Sequence, residues 1–399
     1  MLKFTLKPYD VLFFGSGKPF NRGDVVNSSF PPHPNTLASA IYSKLYHSNM
    51  IDDSIINNPN VIKAVYGPFI QKGEKIYFPK PHNIYGKRKR EESERVFIIN
   101  LPKEKTSEKG TSKKEFRLFD PSNTNKPEGI ESLPVYIGNE EVEPFNGFIS
   151  TEGLRKYFNG GEIDAKSDIL LYEGNSEQKS IFKRESRIGI SIDSSSNSVN
   201  SEDALFRVEF LRFLEDVKLV FWVDFNLNGG GIRNINEYQK LVEFFNKNPK
   251  SLKLGGEMRN VSYEVQEDDF NKIIDDLGLS RSINISSSRG LKVIFLTYGV
   301  FDGPIGMIKI DEFKTLSSCF NGYDFIGINS KRTKQRKIKR ALPPGSVIWL
   351  KSTTEKTLNS INNPTFIVGE GGNYEFGFPE GKQEFIGTNL VLLKEVEYV

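Results

Sequence analysis

The residues best suited to chemistry near the start of the chain lie in "DVLFFGSGKPF", Asp10–Phe20, where an apolar run breaks into Gly15-Ser16-Gly17-Lys18. This resembles the end of a phosphate-binding loop, G-x-x-x-x-G-K-[ST]. In such a loop backbone N–H groups cradle phosphates, the lysine reaches the outer ones and a hydroxyl holds Mg²⁺. Two parts are missing. Leu12 stands where the first glycine belongs, and Pro19, which has no hydroxyl and no N–H, follows Lys18. Nucleotide hydrolysis is therefore a poor reading. A glycine turn after a strand is a better one. A third is a basic loop for a nucleic-acid backbone, built on Gly15, Gly17, Lys18 and Arg22.

Other chemistries find little support. His33, His47 and His82 are the three histidines, and none has a second His or a Cys at metal-ligand spacing. His47 closes an expected helix, where it suits the negative end of the dipole. The single cysteine, Cys319, lies in an apolar stretch read as helical, with no adjacent base to activate it. Asp10 is either an acid at a strand end or a residue tying down its own turn. There is no G-x-S-x-G elbow and no dinucleotide-binding glycine pattern. No metal and no cofactor is expected.

Charge is more informative in its distribution than in its sum. The chain of 399 residues carries a net charge of +3, yet "KRTKQRKIKR", Lys331–Arg340, holds seven cations and no acid. Without it the remainder stands at −4. A solvated face normally mixes signs, so this block reads as a footprint for a polyanion, with a plain solvated loop as the alternative. Two further glycine loops lie near positive charge: Gly255-Gly256 with Arg259 in "GGEMR", and the segment Gly369–Gly387. Glycine lets a phosphodiester backbone approach the main chain, and Arg or Lys neutralises it.

The elements that must position these residues can be read from periodicity. Residues 1–14 alternate as a strand. In "NTLASAIYSKLYH" Leu37, Ala38, Ile41, Tyr42 and Leu45 form one apolar helix face, with Asn35 as N-cap. "GPFIQKGEKIYFPKP" reads as two strands turning at Lys72-Gly73. Residues 86–117, with eleven basic and six acidic side chains, read as a mobile insertion. "ESRIGISID" is a strand, and "ALFRVEFLRFLEDVKLVFWVDF" is long enough for a hairpin turning at Glu215-Asp216. Asn236 and Gln239 suggest a capping box for a helix carrying Tyr238, Leu241, Val242 and Phe245. "LKLGGEMRNVSYEV" reads as a strand interrupted by its glycines.

Further on, "DDFNKIIDDLGL" is a helix stopped by Gly278 and "DEFKTLSSCFNG" a short helix ending at Gly322. "LKVIFLTYG", "GSVIWLKS" and "TNLVLLKEVEYV" are strands. The order β-α-β-β-α-β implies an α+β protein of two ferredoxin-like (RRM-like, βαββαβ) domains. The first spans residues 1–265 with an insertion around 86–180, and the second spans 266–399. The lone cysteine rules out an intrachain disulfide. No apolar run reaches the length of a membrane span, and the first residues lack a signal-peptide layout, so a cytoplasmic location is expected.

The stretches "DVLFFGSGKPFNRGD", "FPPHPNTLASAI", "GPFIQKGEKIYFPKPHN", "ESRIGISID", "LGGEMR" and "KRALPPGSVIWL" occur in an order that resembles the third-subunit family of Cmr complexes, the type III-B CRISPR effectors, within the RAMP superfamily of crRNA-binding proteins. The matches run nearly the full chain, and the equivalent subunit of type III-A (Csm) complexes is similar. The resemblance implies a subunit without catalysis of its own. Such a subunit holds the 5′ tag of the crRNA and sits between the large polymerase-like subunit and the first backbone RAMP subunit. It points to Gly15, Gly17, Lys18, Arg22, Arg187, Gly255, Gly256 and Arg259 as candidate contacts, joined by Lys331, Arg332, Lys334, Arg336 and Lys337 of the basic block. One departure is the C-terminal glycine segment, spread here across "GFPEGKQEFIG" rather than forming a compact turn. An RNA endonuclease on the same fold, with His33 or His47 as general base, is the competing activity.

Overall fold

The computed structural model describes residues 1–15, 25–52, 60–87, 96–101, 134, 136, 140–174, 179–190, 205–227, 231–233, 235–247, 249–257, 259–284, 289–328, 337–353, 360–379 and 386–397. The fold is mixed α+β and rich in strand.

Its centre is an antiparallel sheet of eight strands in the order Ser251–Lys253, Asn260–Glu267, Leu2–Pro8, Val217–Phe225, Ile62–Lys72, Lys75–Pro79, Gly147–Ser150, Ile169–Leu171. Helix Pro34–His47 crosses between the first strand and Ile62–Lys72, and helix Tyr238–Asn246 lies in the stretch from Val217–Phe225 to Asn260–Glu267. Taken in chain order, these four principal strands stand fourth-first-third-second in the sheet.

Alternation explains why the sheet is buried on both faces. Leu219, Phe221 and Val223 of the central strand pack with Leu37, Ile41, Leu241 and Phe245 of the two helices. Val220 and Trp222 point the other way, onto Phe270 and Ile274 of helix Asn271–Asp276 and onto Ile294, Trp349 and Leu392 of the C-terminal half. The two halves therefore share one core, and both sides of the 265/266 division contribute to it.

The C-terminal half does not show the expected second βαββαβ order among its described residues. Seven strands close into a barrel: Arg289–Phe295, Val347–Ser352, Phe313–Cys319, Lys309–Ile310, Asn373–Gly377, Thr365–Glu370 and Leu390–Glu397. The helix expected over "DEFKTLSSCFNG" is strand Phe313–Cys319, with Phe313, Thr315 and Ser317 buried at alternate positions. A period of two, not 3.6, governs that stretch. Gly371 and Gly372, both at positive φ, form the two-residue turn between paired strands Thr365–Glu370 and Asn373–Gly377. The third glycine segment is thus partly hairpin chemistry.

Local caps differ from expectation. Helix Pro34–His47 is capped by His33, whose Nδ1 accepts from the Asn35 N–H at 3.2 Å, with Pro34 inside the first turn. Helix Tyr238–Asn246 starts after Glu237 without a side-chain cap, and Asn236 instead accepts from Lys240. The two strands of "ALFRVEFLRFLEDVKLVFWVDF" exist, but they do not pair with each other. Leu205–Phe213 joins Phe182–Ile190 and Val25–Asn27 in a separate three-stranded sheet, while Val217–Phe225 joins the central one. Strands Ser251–Lys253 and Asn260–Glu267 pair as a hairpin, so Gly255-Gly256 lie in a turn rather than a broken strand. Most of 86–117 lies outside the described residues. Its described ends join Ile84–Lys87 and Val96–Ile98 to Val142–Pro144 in a small sheet.

Candidate nucleic-acid interface

Three of the segments singled out in the sequence meet at one place. The first strand ends at Pro8, and Leu12 then exchanges both backbone bonds with Leu211, at 2.9 and 2.8 Å, tying this stretch to strand Leu205–Phe213 of the three-stranded sheet. The turn between Ser251–Lys253 and Asn260–Glu267 docks beside them, the Gly256 N–H donating to Phe13 O at 2.8 Å. Here the glycines are required. Gly255 has φ +76, and a Cβ there would stand 2.3 Å from Phe13 O; one on Gly256 would stand 2.8 Å from the Phe13 ring. A Cβ on Gly15 would make only ordinary contact with a Phe13 ring carbon, at 3.8 Å, among the described residues.

Around this junction stand three arginines and two carboxylates. Arg187 binds Asp10 at 3.1 Å and Glu185 at 2.6 Å, and Arg212 binds the same pair at 2.9 and 2.5 Å. Arg259 lies 3.8 Å from Asp10. Beneath them the buried ring of Phe210 faces the Arg259 and Arg187 guanidiniums at 4.7 and 5.2 Å, and Phe13 packs on Phe210 at 5.7 Å. Burial pushes the Asp10 carboxyl up, but the hydrogen bonds from Arg187 and Arg212 outweigh it and hold it below its ordinary value. Arg212 and Arg187 likewise hold Glu185 low, and Glu185 in turn raises both arginines.

Three cations against two anions leave the group one positive charge in excess. The guanidiniums are also pre-positioned on an aromatic floor, which suits them to phosphate oxygens. Sequence reading missed Arg212, Phe210 and the role of Glu185. The available signal was alternation: Glu185 with Arg187, and Phe210 with Arg212, are two apart on strands and share a face.

The structure thus brings Gly15, Arg187, Gly255, Gly256 and Arg259 together. Gly17, Lys18, Arg22, Lys331, Arg332, Lys334 and Arg336 lie outside the described residues. Lys337 opens strand Lys337–Leu342, which pairs with Asp324–Ile328 and Gly299–Val300 in a small sheet on the C-terminal half.

His33, His82 and Cys319 lie in buried or half-buried settings, whereas His47 is exposed at the end of helix Pro34–His47. His33 Nε2 is sealed from solvent without a partner, and burial brings the ring down to about 4. His82 is buried, accepts from the Asn321 N–H at 3.1 Å, and is brought down to about 3. Cys319 ends a strand half-buried, and that burial pushes its thiol up. Among the described residues no three of His, Cys, Asp or Glu come together as a metal site. No described helix is long and apolar enough to cross a membrane.

No curated protein sequence matches the chain. Among solved structures, the chain is similar to one in a cryo-EM structure of the type III-B Cmr-beta complex bound to cognate target RNA and AMPPnP. The identity is 16%, covering 87% of this chain and 86% of that one, with a TM-score of 0.45. A structure of the same complex with cognate target RNA gives the same values. A crystal structure of a Csm3–Csm4 subcomplex of the type III-A interference complex gives 14% identity over 98% of this chain and 99% of that one, with a TM-score of 0.40. The family model for the CRISPR-associated protein Cas_Cmr3 matches residues 4–395, and the chain belongs to that family.

Proposed function

We propose that this protein is a noncatalytic, crRNA-binding subunit of a type III-B CRISPR effector acting in antiviral defence. In this reading it holds the 5′ tag of the crRNA and bridges the large polymerase-like subunit and the first backbone RAMP subunit in the cytoplasm. The order of its four principal strands supports a ferredoxin-like unit of the RAMP type over residues 1–265, with residues 266–399 as a second, barrel-shaped module.

The observation that carries the RNA reading is the convergence of Arg187, Arg212 and Arg259 over Phe210, from three segments distant in sequence. Asp10 and Glu185 hold the guanidiniums at fixed separation, so little side-chain freedom is lost when a phosphodiester engages them. Gly17, Lys18 and Arg22 of the opening loop, and Lys331, Arg332, Lys334, Arg336 and Lys337 of the basic block, extend the same polyanion footprint in this proposal. Against His33 as the general base of an endonuclease, its sealed Nε2 has no route to a 2′-hydroxyl.

The test is co-expression with the neighbouring effector subunits and a CRISPR array, followed by sequencing of the RNA retained on the purified complex. Wild type is expected to retain crRNA with an intact 5′ tag, and Arg187→Ala/Arg212→Ala/Arg259→Ala to lose it. Full retention by the triple variant, with unchanged salt dependence, would sink the proposal.

A further inference from the structure

A cavity of about 320 Å³ opens beside the small sheet formed by Gly299–Val300, Lys337–Leu342 and Asp324–Ile328. Its floor is apolar: Phe301, Ile305 and Leu342 line it and are each less than a tenth exposed. Its rim is different in kind. Tyr323 stands there 42% exposed, braced by the Phe320 ring at 5.0 Å. Lys339 and Arg340 line the same opening; Lys339 Nζ is 3.1 Å from Asp302, and Arg340 is exposed. The arginine cluster does not use this cavity, and its floor is the outer edge of the C-terminal core.

Each part constrains the ligand. An apolar floor in a cavity of this volume, at the small end of ligand pockets, favours a compact apolar body. An exposed phenol ring at the edge offers a flat stacking partner. Two cations at the mouth, one of them paired with Asp302, leave one positive charge in excess and call for negative charge attached to that body, outside the cavity. A nucleobase carrying a 5′ phosphate meets all three requirements, because every base has an apolar π-face and its phosphate projects away from the ring.

We propose that this cavity receives one unpaired nucleobase, its ring against Tyr323 over the floor of Phe301, Ile305 and Leu342, and its phosphate met by Arg340 and Lys339. The base belongs to a bound RNA strand if the RNA-binding reading above holds, on which that assignment rests. A free mononucleotide carries the same chemistry.

The full-length protein is titrated into short single-stranded RNAs carrying 2-aminopurine at successive positions and, separately, into 2-aminopurine riboside 5′-monophosphate. One RNA position is expected to lose fluorescence by stacking. Tyr323→Ala should abolish that loss and weaken binding roughly 5- to 150-fold, the range for one base–aromatic stack, while Tyr323→Phe should retain both. Tyr323 is exposed, so the alanine variant should fold. Tyr323-dependent quenching only within RNA assigns the base to a strand. Quenching of the monophosphate, with no RNA binding, supports the cavity and removes the RNA interface. RNA binding that Arg187→Ala/Arg212→Ala weakens, but that shows no quenched position and no response to Tyr323→Ala, overturns the cavity proposal and leaves the interface standing.

Discussion

Asp10 and Glu185, 175 positions apart in the sequence, bind the same two guanidiniums: each accepts from both Arg187 and Arg212. In the proposed function the pair holds these cations in place until a phosphodiester engages them. That view makes the carboxylates competitors of RNA as well as its organisers.

Replacing Asp10 with Asn removes one competitor and one negative charge. RNA affinity should rise about threefold at low salt, with a loss of stability under about 1 kcal/mol, because the pairs are partly exposed. Fluorescence anisotropy across a salt series measures the first and urea unfolding the second. A drop in affinity would show that positioning outweighs competition.

Arg187→Ala and Arg212→Ala should each weaken RNA binding and flatten the slope of log K against log salt by about one. The effect should be similar across RNA sequences, since a phosphate contact carries no base information. A slope unchanged in both variants would remove the cluster from the interface.

Gly255→Ala sets a Cβ against Phe13 O in a backbone conformation that L-residues resist. Stability should fall by about 1–3 kcal/mol, and the turn carrying Arg259 should shift from Asp10. Chemical denaturation reads the loss. A wild-type unfolding midpoint would mean that the turn adapts.

Phe270→Ala should be costlier, about 3–5 kcal/mol. The ring stacks on Phe69 at 5.6 Å and meets Trp222 at 5.2 Å and Tyr66 at 5.0 Å, in the core that both halves share. A single unfolding transition, displaced as a whole, is the expected form of the change. Separate transitions for the two halves would count against a shared core.

Lys80 and Lys292 give the stability a pH dependence. Burial brings each down to about 7, where the unfolded chain keeps them near the ordinary lysine value. Between about pH 7 and 10 the unfolded state therefore binds more protons, so these two groups make stability rise with pH in that window and level off below it. Lys80→Met should reduce the slope by up to about 1.4 kcal/mol per pH unit. An unchanged slope would mean that Lys80 keeps its proton in the folded protein.

What could be read in advance followed the strength of periodicity. The faces of Pro34–His47 and Tyr238–Asn246, and the alternating first strand, are legible because each buries one side only. "DEFKTLSSCFNG" misled because its polar residues Thr315 and Ser317 point into the barrel, which hides the alternation. The site was half-legible. Glycine next to arginine marks Gly255–Arg259, but Arg212 is indistinguishable from any strand cation until its cross-strand neighbours are known. Partnership across sheets depends on which strands pair, and no local pattern encodes that.

The turn at Leu214–Asp216 hands the chain from the three-stranded sheet of Leu205–Phe213 to the central sheet, held by Val217 N–H to Leu214 O at 3.0 Å and Leu214 N–H to Ile181 O at 3.1 Å. Side chains alternate with period two on both sides of it, so the turn gears the phase of one sheet to the phase of the other. Unless a bulge absorbs it, adding or deleting one residue there rotates one strand by half a turn. Either Phe210 and Arg212 trade faces with Leu211 and Phe213, or Leu219 and Phe221 leave the helices they pack against. Chain length at this joint is constrained more tightly than residue type, and homologous chains that keep the arginine cluster should vary there by substitution but not by insertion.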